Sequence, residues 1–65
     1  MPEPKGPLQT LDRGLSMLDL VSQAPGGITM SELAEHIGVH RTVCYRLVGT
    51  LAAHRLVVRG SDGRI

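Results

Sequence analysis

Arginine is the residue type through which this chain of 65 residues can do most chemistry, and its distribution is uneven. Residues 36–65 hold five arginines and one acidic residue, Asp62, so that half has a net charge of +4. Residues 1–35 hold two basic and five acidic side chains, a net charge of −3. A basic half that follows an acidic half predicts a polyanion bound on one side of the molecule. The alternative is a solvated charged surface.

Histidine and cysteine predict no metal or catalytic centre. His36 and His40 are four residues apart, but Gly38 breaks the helix between them, and no Glu or Cys partner stands at a known zinc spacing. Cys44 is the single cysteine, and we expect it to be a small core residue rather than a redox-sensing thiol. No Gly-x-Ser-x-Gly elbow, Walker loop or dinucleotide fingerprint occurs. The sequence therefore predicts neither an enzyme nor a cofactor.

The elements that must position the arginines are predicted as a helix-turn-helix. Apolar residues at i, i+3, i+4 and i+7 form one stripe on a short helix: Met30, Leu33, Ala34 and Ile37. The small Ala34 falls where a second helix must approach closely. Gly38 suits the left-handed turn that ends this helix. Thr29 and Glu32 have the Thr-x-x-Glu spacing of a capping box at its start.

Two further helices flank this unit. A first helix is predicted from about Leu8 or Thr10 to Gln23, and its wide apolar surface serves either core packing or a subunit contact. A third helix is predicted over about 40–54. Its predicted inner side carries Val43, Cys44, Leu47, Val48 and Leu51. Its predicted outer side carries Thr42, Tyr45, Arg46, Gly49, Thr50 and Ala53.

The end of the chain predicts a hairpin. Residues 56–59 are predicted as a strand, residues 60–63 as a turn with an Asp-Gly step, and residues 64–65 as the start of a return strand. Ile28 is expected to form a strand of one or two residues. The predicted fold is mainly α, a winged helix-turn-helix over residues 8–65, after a proline-rich disordered arm over residues 1–7. Because two residues make no useful strand, we expect the N-terminal domain of a longer protein.

The segments LDRGL at residues 11–15, APGG at 24–27 and YRL at 45–47 together resemble the DNA-binding domain of IclR-type transcriptional regulators. The resemblance covers about residues 8–65. It implies a bacterial, ligand-controlled repressor or activator that binds palindromic double-stranded DNA operators as a dimer or tetramer. It also implies an effector-binding domain, absent here, that follows this one and takes a small-molecule effector.

Two positions depart from the family pattern. Arg55 stands where the family usually has glycine after the third helix. Either Arg55 bears the strain of left-handed backbone, roughly 1–2 kcal/mol, or the helix ends differently. His40 stands where the family commonly opens the third helix with Pro or Ser, so we expect a weak cap there.

A recognition helix in the major groove needs long side chains with hydrogen-bond donors for guanine and phosphate, and short polar side chains near its start. It also needs small residues where its backbone meets DNA. Arg46 is expected either to donate two hydrogen bonds to a guanine or to bind a phosphate. Tyr45 directs its hydroxyl to a phosphate or shields the core edge. Gly49 permits close approach either of DNA or of another helix. The expected DNA-binding residues are Arg41, Thr42, Tyr45, Arg46, Thr50, Arg59 and Arg64.

Arg59 and Arg64 complete this set from either side of the predicted turn, where they contact phosphates or the minor groove, or remain solvated. With neither a signal peptide nor a membrane span in the sequence, we expect a cytoplasmic protein that does not bind membranes. The predicted function is sequence-specific DNA binding. The alternative is a winged helix that docks on another protein, but such a helix more often exposes apolar anchors than Thr and Arg.

Overall fold

The computed structural model describes residue 6 and residues 8–65 and contains three helices there. Helix α1 is Gln9–Ser22, α2 is Met30–Ile37 and α3 is Arg41–Ala53, and each packs against the other two. The prediction of a mainly helical fold with a helix-turn-helix is confirmed. Apart from residue 6, the predicted arm over residues 1–7 lies outside the described residues. No helix in the described part is long and apolar enough to cross a membrane.

Helix α2 begins and ends as the sequence predicts, because both signals are local. The Thr29 hydroxyl accepts a hydrogen bond from the Glu32 N–H at 3.1 Å. The Glu32 carboxylate accepts in return from the Thr29 N–H at 3.0 Å and from its hydroxyl at 2.8 Å. These bonds to the charged form hold the pKa of Glu32 below its ordinary value. At the other end, Gly38 has φ 79° and donates to the Ala34 carbonyl at 2.9 Å.

One aliphatic core joins the three helices to the residues that follow them. Ala34 is 5% exposed, which is consistent with a close helix approach at that position. The buried members are Met17, Ile28, Met30, Leu33, Ala34, Cys44, Leu47, Val48, Leu51, Val57 and Ile65. The prediction that Val43 belongs to the inner side of α3 is wrong, because Val43 is 37% exposed. At 100° per residue it lies about 90° from the centre of the buried stripe and so falls at its edge.

Only part of the apolar surface of α1 is used by this core. Gly14 and Met17 are buried, and Leu18 and Val21 pack against the core. Towards the start of the helix, three leucines are more than half exposed: Leu8, Leu11 and Leu15. They line an open groove of about 600 Å³ between α1, the second half of α3 and Leu56. The breadth of this surface, noted from the sequence, therefore exceeds what the core buries.

Helix α3 ends with a bulky residue in a conformation that favours glycine. Arg55 has φ 62°, and its N–H donates to the Ala52 carbonyl at 2.9 Å. The next N–H, of Leu56, reaches back to the Leu51 carbonyl at 2.9 Å. These two bonds form the Schellman arrangement, in which the left-handed residue is usually glycine. Of the two possibilities left by the sequence, Arg55 bears the strain. At the other end, His40 gives no side-chain cap, as expected.

The predicted strand over residues 56–59 is not formed, and no strand occurs within residues 8–65. The turn itself is present: the Gly63 N–H donates to the Gly60 carbonyl at 3.0 Å, and the Gly60 N–H to the Arg64 carbonyl at 2.7 Å. The next residue, Ile65, does not continue this pairing. It exchanges backbone hydrogen bonds of 2.9 and 3.4 Å with Ile28 instead. Residues 57–59 thus have no partner backbone in the described chain, and a strand needs one. A β-hairpin wing is therefore not observed.

Replacing Arg55 by glycine should stabilise the chain. Glycine adopts the left-handed region without a Cβ penalty, but it also gains freedom in the unfolded state. We expect Arg55→Gly to raise the free energy of unfolding by roughly 0.5–1 kcal/mol, measured by urea denaturation. Arg55→Ala is the matched control, because it removes the charge and keeps the Cβ. If Ala stabilises the chain as much as Gly does, the charge rather than the backbone is the cause.

Candidate nucleic-acid interface

The buried stripe of α3 determines which side chains the helix presents to solvent. Cys44, Leu47, Val48 and Leu51 are buried on one side. Thr42 and Arg46 are exposed and lie within about 30° of the opposite direction at 100° per residue. Thr50 and Tyr45 are exposed on either flank of that outer face. The structure therefore places Thr42 and Arg46 on one exposed polar face of α3, with Tyr45 and Thr50 at its two edges, and Thr50 also lines the groove beside α1.

The start of α3 adds positive charge to this surface. Arg41 and Thr42 occupy its first turn and are exposed, and no acidic residue lies there. The corresponding turn of α2 contains Glu32, whose carboxylate is bonded to Thr29. Among the described residues, α3 thus begins without a side-chain cap and without a nearby carboxylate of its own. The partial positive charge of a helix N-terminus adds to that of Arg41.

Gly49 lies on the outer face, and nothing inside the described molecule requires it to be glycine. A Cβ built at this position meets no atom within 4 Å. The possibility that Gly49 permits another helix of this domain to approach is therefore wrong. In a helix interior glycine is less favourable than alanine by about 1 kcal/mol. The neighbouring Thr50 donates its hydroxyl proton to the Arg46 carbonyl at 2.9 Å, which leaves its lone pairs outward.

Tyr45 of α3 and Arg59 of the segment after it are in contact. The Arg59 guanidinium carbon lies 5.1 Å from the centroid of the Tyr45 ring, within the range of a cation–π interaction. Tyr45 is 41% exposed, so the pair lies on the surface beside the outer face of α3. The two residues are far apart in sequence and belong to no repeating pattern. No sequence signal could have paired them.

Arg64, the second arginine of the turn, faces a different part of the molecule. Its Nη1 donates to the Gly27 carbonyl at 3.3 Å, and its Nε lies 3.9 Å from the Asp62 carboxylate. Its positive charge also helps to lower the pKa of Glu32, after the hydrogen bonds from Thr29. Arg64 therefore packs against the loop between α1 and α2, whereas Arg59 packs against α3. The two arginines flank the turn, as expected, but have separate partners.

The remaining candidates for chemistry are accounted for by packing. Cys44 is completely buried, with its Sγ 3.4 Å from the Met30 sulfur, and burial raises the pKa of its thiol. The expectation of a small core residue is confirmed. Within the described part of the chain, no three His, Cys, Asp or Glu side chains cluster to form a possible metal site.

These features define a helix-turn-helix domain with a basic, polar outer helix face. The sequence profile of the IclR helix-turn-helix domain matches residues 10–61. The chain belongs to this family, a class of DNA-binding transcription regulators, and the resemblance seen in the sequence motifs is confirmed.

Two relatives give the same identity over the same length. The transcriptional repressor IclR of Escherichia coli is 33% identical over 46 residues, which are 71% of this chain and 17% of the relative. The acetate operon repressor of Salmonella typhimurium gives the same figures, 33% over 46 residues, 71% and 17%. The matched region thus spans about a sixth of each of these relatives. No solved structure matches the chain.

Proposed function

We propose that this domain binds double-stranded DNA sequence-specifically, with α3 in the major groove, as the N-terminal part of a bacterial transcriptional regulator. The observation that carries the proposal is the outer face of α3, where Thr42 and Arg46 lie opposite the buried stripe. An α-helix fits the major groove, where arginine pairs with guanine through two donors. Membership of the IclR helix-turn-helix family supports this use of the surface.

Each residue of the surface has a proposed role that follows from its position. Arg46, on the outer face, forks two donors onto a guanine, and Thr42, one turn earlier, contacts a base or phosphate next to it. Arg41, in the first turn, binds a backbone phosphate. Thr50 presents acceptor lone pairs, since its proton is held by the helix. Tyr45 contributes to DNA binding from the flank of the outer face of α3.

The turn after α3 is proposed as the tip of a wing. Its hydrogen bonds, with Gly63 at φ 82°, are those of a hairpin with a three-residue loop and a left-handed glycine. Arg59 lies on the side of the turn that contacts α3 and is proposed to bind a phosphate or the minor groove. Arg64 is proposed to contact DNA with donors not used by Gly27, and to hold the turn against the α1–α2 loop.

Oligomerisation and ligand control are part of the same proposal. The exposed leucines of α1 form an apolar surface suited to a second subunit. A symmetric dimer would match the two half-sites of a palindromic operator. The curated relatives are about six times longer than the matched segment, which leaves room in them for an effector domain. We propose that the whole protein is a ligand-controlled repressor or activator of this kind.

A protein-docking module is the second candidate. The groove lined by Leu8, Leu11 and Leu15 is the apolar surface that would favour it. The outer face of α3 favours DNA, since it carries Thr42, Arg46 and Gly49 and no large apolar anchor.

Arg46 provides the most specific test of base reading. If it forks onto guanine, Arg46→Lys keeps the charge and loses the paired donors, so discrimination at one base pair per half-site should fall by ~1–3 kcal/mol. Affinity for non-specific DNA should stay nearly constant. The measurement uses a duplex selected for binding from a random library, together with its single-base variants at fixed salt. Uniform weakening across all these duplexes would make Arg46 a phosphate anchor.

The arginines of the turn are tested by the salt dependence of binding. Each phosphate contact contributes about −0.9 to the slope of log K against log salt. We expect Arg59→Gln to reduce that slope by about one unit, and Arg64→Gln by up to about one unit, without changing sequence preference. If both turn variants keep the slope of the parent chain, the turn does not contact DNA.

Gly49 should show opposite effects on stability and on binding. Gly49→Ala should raise the free energy of unfolding by about 1 kcal/mol, because no atom obstructs the added methyl group. It should nevertheless weaken DNA binding if the α3 backbone approaches the duplex there. Gly14→Ala is the matched control: it also meets no atom within 4 Å, but it lies on α1. Gly14→Ala should stabilise without changing affinity, and equal affinities for both variants would exclude close approach at Gly49.

The subunit contact on α1 is tested by sedimentation over a range of concentrations. Leu11→Glu places a charge in the exposed leucine surface and should abolish concentration-dependent association. Ser16→Glu adds the same charge about 140° away around α1 and should leave association intact. If the two variants associate equally, the leucine surface is not the contact.

A further inference from the structure

We propose that Tyr45 is a positioning residue, whose ring holds the Arg59 guanidinium beside the DNA-facing side of α3. This inference rests on the proposed function and assigns Tyr45 a role that acts through another residue. The observation is the 5.1 Å separation between the Arg59 guanidinium carbon and the Tyr45 ring centroid. The chain has one Tyr and no Phe or Trp, so no other ring of this kind could hold an arginine.

The backbone around Arg59 explains why such a contact matters. Residues 57–59 have no backbone partner in the described chain, so no strand ladder fixes the direction of the Arg59 side chain. Val58, the preceding residue, is 79% exposed and gives no packing anchor. The neighbouring Val57 is buried and fixes the path of the chain, but not the arginine head group. The ring of Tyr45 is the contact that orients the guanidinium relative to α3.

The other end of the same segment is attached elsewhere. Arg64 donates to the Gly27 carbonyl, and Ile65 exchanges hydrogen bonds with Ile28. The turn is therefore linked to the α1–α2 loop at one end and to α3 at the other. The guanidinium lies over the Tyr45 ring and has five N–H donors, more than one ring contact can use, so donors remain available. Arg59 is thus held in place and still able to bind a phosphate.

The role is separable from a direct contact of the Tyr45 hydroxyl with DNA. A ring that holds Arg59 works equally well as phenylalanine, whereas a hydroxyl bound to phosphate does not. Tyr45→Phe is therefore the conservative variant and Tyr45→Leu the disruptive one. Tyr45 is on the surface, and thermal melting of each variant checks that the fold is retained.

The binding experiment uses a labelled mixed-sequence duplex at low salt, with Arg59→Gln, the two Tyr45 variants and the double substitution Tyr45→Leu with Arg59→Gln. Tyr45→Leu should weaken binding roughly two- to fivefold, the range expected of an exposed cation–π contact. The double variant should be little weaker than Arg59→Gln alone, and Tyr45→Phe should bind like the parent. Arg46→Gln is the control: combined with Tyr45→Leu, its effect should multiply.

A second measurement tests the contact in the free chain by NMR. The ring current of Tyr45 should shift the side-chain protons of Arg59 upfield, a shift kept in Tyr45→Phe and lost in Tyr45→Leu. Multiplicative effects of Tyr45→Leu and Arg59→Gln, or a Tyr45→Phe variant as weak as Tyr45→Leu, would overturn this inference alone. A parent chain that fails to bind the duplex at low salt would overturn the proposed function and this inference with it.

Discussion

Burial of one apolar stripe on α3 is the constraint on which the rest of the molecule depends. Cys44, Leu47, Val48 and Leu51 have to leave water, and α1 and α2 are the elements that cover them. Once this side is fixed, the opposite side of a straight helix is fixed too. The exposure of Thr42 and Arg46 is therefore a consequence of core packing. In this domain the hydrophobic core orients the polar surface proposed to read DNA.

The core that performs this task is small and aliphatic. With no Trp or Phe in the chain, it is built from Leu, Ile, Val, Met, Ala and one buried Cys. Sulfur fills the space between α2 and α3, where Cys44 contacts the sulfur of Met30 at 3.4 Å. A thiol in that position has a raised pKa and little thiolate character, so it serves as an apolar filler. Packing in so small a core does not fix where each helix begins and ends, and local hydrogen bonds do so at α2.

Those local features are what the sequence could predict. The capping box of Thr29 and Glu32 and the left-handed Gly38 are determined by residues within one helical turn, and both are observed. Val43 was misplaced because it lies at the edge of the stripe, where periodicity alone cannot decide exposure. The strand over residues 56–59 was wrongly predicted because a strand depends on a partner, and Ile65 pairs with Ile28 instead. The Tyr45–Arg59 contact joins distant segments and has no sequence signal.

The two helices of the helix-turn-helix follow local rules to different degrees. Helix α2 has a complete cap and a terminal glycine, whereas α3 has no side-chain cap, an interior Gly49 and a left-handed Arg55 after its end. Departures from local rules tend to gather at functional positions, where another requirement outweighs stability. Gly49 lies on the outer face, where the absence of a side chain leaves the helix backbone accessible. Arg55 costs roughly 1–2 kcal/mol of backbone strain, but it places a cation at the negative end of α3 and adds charge to the basic half. Helix α1 also begins without a side-chain cap and contains an interior glycine, Gly14, so the left-handed Arg55 is the departure that distinguishes α3.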